Sequence, residues 1–233
     1  MNLLSLARAA KRESGLTSSA TDPAAFATAS GDDLRFFHWV IWAWRDLDLM
    51  HKTWKWRRAS AQATTSGSMT LAPGAVAPGF AIASFSSWLP ASREYQPSTY
   101  PVADGVSTER PLQFLPYDVF RSQFILKTHT ANNLQYWTVA PNGNFMVGPT
   151  PDENHIVNAE YIKGHTALAL DADIPTLPED YHMLIVWLAL KQYGGYDAAS
   201  EVFQRADMNE RSLMSALTQD QLPAMRWGNR PLA

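Results

Sequence analysis

At 233 residues the chain can bury about 70% of its extended-chain surface, and its lack of Cys excludes disulfides and thiolate metal sites. Its formal net charge is −3, with hydrophobic residues at 46% and charged residues at 18%, and no block of it resembles the basic footprint of a tight duplex-DNA binder. No apolar run approaches the roughly 18 residues of a membrane span, and the basic residues near the start follow the apolar ones, the reverse of a secretory signal; the expectation is a soluble protein made in the cytoplasm.

Taken in chain order, the first element is a short helix over 2–13. Asn2 can cap it, Leu3, Leu6, Ala7 and Ala10 share a stripe, and Gly15 follows its end. Residues 16–30 are small and polar and suit a surface loop. Ser30 with Asp33 three residues on forms a capping-box-like start to a second helix, reaching to about Trp54. Leu34, Phe37, Ile41, Trp44 and Leu47 recur at helical spacing, and a second apolar row runs through Phe36, Val40, Ala43 and Met50. Such a helix would be apolar over more than half its circumference, which places it in the middle of a bundle.

From Ala59 onward short β-branched and aromatic runs predict strands at 80–86, 123–129, 134–139, 144–148 and 156–163, with long loops across 87–118. Asn142 and Gly143, between the third and fourth of these runs, signal a hairpin. Pro178, followed by Glu179 and Asp180, opens a helix over 181–193 that is apolar nearly all round, with Gly194 and Gly195 as its stop. A last helix at 197–217 places Ala199, Val202, Ala206, Leu213 and Leu217 on one stripe. The pattern is α+β: a discontinuous α-helical bundle of N- and C-terminal helices, with an inserted, mainly antiparallel β domain. The boundaries read as 1–58 and 176–219 for the two parts of the helical domain, 59–175 for the insertion and 220–233 for an extended tail.

Motifs of chemistry are scarce. The histidines at 38, 51, 129, 155, 165 and 182 show no metal-helix spacing, and Asp171 with Asp173 lacks the rest of a calcium loop, so no metal, cofactor or catalytic residue is assigned. The most suggestive patch is 52–58. Lys52, Lys55, Arg57 and Arg58 interleave there with Trp54 and Trp56, an arrangement that could stack on single-stranded bases, although so short and isolated a patch is better read as a helix end, with the cations on its dipole and the indoles pinning the exit. A glycan platform on the Trp-rich β segment is a further reading.

The order of motifs resembles the head-to-tail adaptor (connector) proteins of tailed bacteriophages. It is carried by the aromatic helix end His51–Trp56, the segment from Asn142 to Pro149, Thr150 and Pro151, then Tyr161 to Lys163, the linker from Asp171 to His182, and the two closing helices. The stretch 87–118 has no counterpart in that pattern. The resemblance implies a non-enzymatic virion protein made in the host bacterium, which forms a ring, twelve-membered as a family expectation, at the neck between portal and tail. Its partners would be copies of itself, the portal and a tail or neck-stopper protein, with DNA passing through the lumen unbound and no membrane involved. Under this reading Trp39, Trp42 and Trp187 are candidates for inter-subunit contact, and Met225, Trp227 and Leu232 on the tail for portal binding.

Overall fold

The computed structural model describes residues 1–16, 22–74, 78–90, 95–127, 130–131 and 133–222. Five helices and two sheets make an α+β fold: α1 Leu3–Glu13, α2 Gly31–Met50, α3 Tyr117–Phe120, α4 His182–Tyr196 and α5 Ser200–Gln221. The strands are β1 Arg58–Thr64, β2 Thr70–Pro73, β3 Gly79–Phe80, β4 Ser87–Trp88, β5 Ser98–Pro101, β6 Arg110–Pro111, β7 Gln113–Phe114, β8 Tyr136–Val139, β9 Phe145–Gly148 and β10 His155–Ile162. The chain divides into two compact units. One is built from residues up to Arg57 together with those from His165 onward, and the other is Arg58–Gly164.

In the helical unit Asn2 Oδ1 accepts the N–H of Ser5 at 2.9 Å and so caps α1, whose stripe Leu3, Leu6, Ala7 and Ala10 is fully buried. The N–H groups of Leu3 and Leu4, orphans of the first turn, donate to the carbonyls of Asp173 and Asp171. The carboxylates of that loop work locally as well: Asp171 accepts the Phe26 N–H, and Asp173 accepts those of Ala169 and Leu170, which holds its pKa below the usual carboxylate range.

The centre of this unit is α4, which packs against α1, α2 and α5 and so covers its apolar circumference on several sides. The expectation that α2 sits in the middle is therefore corrected. One face of α2 is buried through Phe36, Phe37, Val40, Trp44 and Leu47, while Trp42, Leu49 and Met50 are about half exposed. Its ends also differ from expectation. Ser30 stands at the N-cap but its side chain makes no capping bond, and Asp33 instead pairs with Lys11 at 2.8 Å. The helix stops at Met50 because the chain turns back and the Trp54 indole donates to the Leu47 carbonyl at 3.1 Å, satisfying an acceptor of the last turn.

Gly194 and Gly195 lie inside α4 rather than ending it. A Cβ at Gly194 would stand 2.8 Å from Phe203 Cβ, so the missing side chain is what allows α5 to approach. The chain turns at Ala198, in the left-handed region with φ 51°, before α5 begins at Ser200.

The second unit holds both sheets. In one, β1 pairs antiparallel with β10 from Arg58 opposite Ile162 to Thr64 opposite Ile156; β5 and then β6 follow on the other side, with β4 also joined to β10. The other sheet has the order β3, β2, β9, β8, β7, antiparallel except at its two outer pairs. The β8–β9 hairpin turns through Asn142 and Gly143, where Gly143 adopts φ 85° and its N–H reaches the Ala140 carbonyl. Trp137 lies flat on Phe145, their rings 5.0 Å apart, and Phe80, Leu71 and Trp88 complete the core.

Two strand expectations fail here. Of the run 80–86 only Phe80 belongs to a strand, β3, because its neighbour β2 ends at Pro73, which has no N–H to donate, and Gly74 turns the chain with φ 83°; at the far end the Ser86 N–H reaches the Ile162 carbonyl of β10. The run 123–129 contributes no strand among its described residues: α3 continues into a wide helical turn over Arg121–Ile125. Phe120 and Phe124, four residues apart, pack at 5.1 Å on the same side, so the apolar period there is helical. The stretch 87–118 carries four two- to four-residue strands, β4 to β7, where long loops were expected.

Candidate interaction surface

Along α2, His38, Trp42, Arg45 and Leu49 fall at i, i+4, i+7 and i+11 and so share one face. Trp42 is 52% and Leu49 47% exposed, Arg45 is exposed, and the His38 ring stacks on Trp42 with centroids 5.9 Å apart. A large, rigid aromatic held upright on a helix and flanked by an aliphatic and a cation has the composition of an interface core.

The three candidate inter-subunit tryptophans are thus placed differently. Trp42 stands on this face. Trp39 is buried, with its edge against Phe36 and its ring near Tyr193 and Tyr196. Trp187 is half-buried on α4, with the Arg205 guanidinium 5.9 Å above its ring. Met225, Trp227 and Leu232 lie outside the described residues.

The patch at 52–58 is resolved into a structural node. Trp54 and Trp56 are buried and stacked on each other at 4.4 Å, so neither offers a face to a base. The Trp56 indole donates to Asp48 Oδ1 at 3.0 Å, and the Arg57 guanidinium donates to the Asp48 carbonyl at 3.0 Å. His165 Nδ1 lies 2.8 Å from Asp48 Oδ2. Asp48, only 2% exposed, thus gathers a carboxylate's acceptor sites onto partners from two segments. Arg57 and His165 are the residues at which the chain leaves and re-enters the helical unit, and Asp48 holds the first through its backbone carbonyl and the second through its carboxylate. Sequence spacing gave no signal for the node: Trp56 and Arg57 follow Asp48 across a chain reversal, and His165 lies 117 positions away.

Lys55 bonds the Asp220 carbonyl, and Lys52 is exposed. Arg58, in the β unit, pairs with Glu160, and its guanidinium lies 5.8 Å over the Tyr95 ring. Burial pushes the Tyr95 hydroxyl up to about 12. The basic residues of the patch are therefore distributed over different tasks.

The histidines follow suit. His182 is buried, with Nε2 3.0 Å from the Leu177 carbonyl and Nδ1 2.6 Å from the Met1 ammonium; an acceptor on one side and a donor on the other place the ring hydrogen on Nε2. Its pKa is lowered, chiefly by burial. Among the described residues no three His, Asp or Glu side chains gather as a metal site, and no described helix is long and apolar enough to cross a membrane.

The fold is α+β, and on α2 Trp42 and Leu49 stand exposed on one face. The chain belongs to the SU10 adaptor protein family, whose model matches residues 1–232. It is thus a bacteriophage adaptor, a structural component that joins other virion proteins. A comparison with curated proteins found no match.

Proposed function

We propose that this chain is the head-to-tail adaptor of a tailed phage: copies close into a ring, twelve-membered as the resemblance implies, beneath the portal at the neck of the virion. There the ring joins the capsid to the tail or a neck-stopper protein, and DNA passes through its lumen without specific binding. The observation that carries the reading is the α2 face around Trp42, on a chain matched to the adaptor family over nearly its whole length. A cyclic ring uses heterologous contacts, so this face must meet a different face of the next copy. Trp42 is the anchor of that contact, while Trp39 and Trp187 support the helices that present it. In this reading the β-rich segment is an inserted domain, and the tail 220–233, through Met225, Trp227 and Leu232, docks on the portal.

Electron microscopy of the purified protein with and without assembled portal tests the reading. The expected result is a ring seated on the portal, lost when residues 221–233 are deleted although the truncated protein keeps its circular dichroism. A protein that stays monomeric at all concentrations and ignores portal would overturn it. The near-neutral charge predicts weak duplex-DNA binding, and sub-micromolar affinity at physiological salt would contradict unbound passage.

A further inference from the structure

Where α2 begins and α4 ends, the helical unit forms a small aromatic cage. Phe36 and Trp39 from α2, Tyr193 and Tyr196 from α4 and the aliphatic Leu16 line a cavity of about 180 Å³, together with Asp32 and Asp197. This is below the roughly 300 Å³ at which small-molecule sites begin, and suits one side-chain head. Trp39 is its hub: its ring centroid lies 5.8 Å from each tyrosine and 5.2 Å from Phe36. The first three aromatics are at most 8% exposed, whereas Tyr196 is 60% exposed and forms the outer wall.

The negative potential there comes from the carboxylates of Asp32 and Asp197; the carbonyl end of α4 adds to it and the N-terminal end of α2, beside Asp32, offsets that addition. Asp197 accepts the Tyr193 hydroxyl at 2.8 Å, which locks that ring in place. Among the described residues one cation answers them: Arg35 bonds Asp32 at 2.8 Å and lies 4.7 Å over Tyr196. Two carboxylates against one guanidinium leave one negative charge uncompensated.

The helical unit also contains cations without a counterpart. Lys11, Arg12, Arg35, Lys191, Arg205 and Arg211 are ion-paired, Lys55 and Arg8 bond carbonyls, and Arg57 is buried at Asp48. Among the described residues of this unit, that leaves Arg45 and Lys52 with no hydrogen bond or ion pair. Arg45 shares the exposed face of Trp42 and Leu49. It cannot serve its own cage: thirteen residues of helix separate it from Asp32, about 20 Å along the axis. On the helical wheel the two features also point in directions about a third of a turn apart, which is what a heterologous contact between copies requires.

We propose that the cage of one subunit receives the Arg45 guanidinium of a second copy, so that the Trp42 face of each chain closes onto the α2–α4 cage of the next. The inference rests on the ring reading above and supplies its missing complementary face. A guanidinium suits the site because it is planar, stacks on aromatic rings and is weakly hydrated.

The test measures the concentration at which monomers assemble, by sedimentation velocity and native mass spectrometry, with the fold checked by circular dichroism. Removing both rim charges while keeping shape (Asp32→Asn with Asp197→Asn) raises that concentration about tenfold or more, and Arg45→Gln does the same. Arg45→Glu abolishes assembly, and Arg45→Glu combined with Asp197→Arg in one chain restores it to within about threefold of wild type. Wild-type rings with unchanged assembly in the rim variant overturn the cage. Weakening in the rim variant but not in Arg45→Gln overturns this occupant in favour of another cation, such as one from the portal or the tail. A wild-type protein that forms no ring at any concentration fails the ring reading itself, a result distinct from either.

Discussion

At the scale of single residues, Asp48 is the position with most at stake. Its carboxylate is 2% exposed and meets the Trp56 indole and His165, with Arg57 held on its backbone carbonyl. Asp48→Ala would strand the buried indole N–H and leave the guanidinium without a nearby anion, at a cost of about 3 kcal/mol in urea unfolding. Asp48→Asn keeps one acceptor and should cost clearly less. His182 gives a pH dependence of definite sign. Its folded pKa is lowered, mainly by burial, so below its unfolded value near 6.5 the unfolded chain binds the extra proton and the fold does not. Stability is therefore full above about pH 6.5 and declines as the pH falls through that value toward the lower folded pKa. Thermal unfolding between pH 7.5 and 5.5 should show the decline, and His182→Gln should flatten it.

At the scale of elements, α4 shows how an apolar sequence is used. Its all-round hydrophobicity is met by three helical neighbours, and Gly194 sets how close the last of these comes. Gly194→Ala places a methyl where only 2.8 Å separates it from Phe203 Cβ, and α5 must move out. Overpacking of this kind should destabilise by about 1–3 kcal/mol in chemical denaturation, although Ala is the better helix former. A gain in stability would show that the helices are not held apart by this contact. The turn Ala140–Asn144 was legible because its chemistry is local: Gly143 takes the left-handed backbone angle at the tip and Asn142 Oδ1 accepts the Asn144 N–H. The segment 121–125 was not. Phe124 and Ile125 are strand formers, and it is the packing of Phe120 and Phe124 beside Gly148 and Tyr136 that makes them helical.

For the molecule as a whole, the surface left by folding decides its behaviour. Trp42→Ala removes a ring that is 52% exposed, so the monomer's unfolding free energy should change by no more than about 0.5 kcal/mol. Assembly should weaken strongly, because a central aromatic of an interface is worth about 2 kcal/mol or more at each contact. Sedimentation alongside monomer denaturation separates the two effects. Equal losses in both would place Trp42 in the fold instead of the contact.

The sequence by itself determined the α+β class, the four long helices, the α1 cap at Asn2 and the β8–β9 hairpin, since each rests on residues within a few positions of one another. Only the tertiary structure decided that α4 rather than α2 is central, that the Trp54 indole caps the Leu47 carbonyl, and that Asp48 gathers Trp56 and His165. Periodicity shows that a helix has an apolar face but not which neighbour covers it. A carboxylate's partners across more than a hundred residues come together only when the chain has closed on itself.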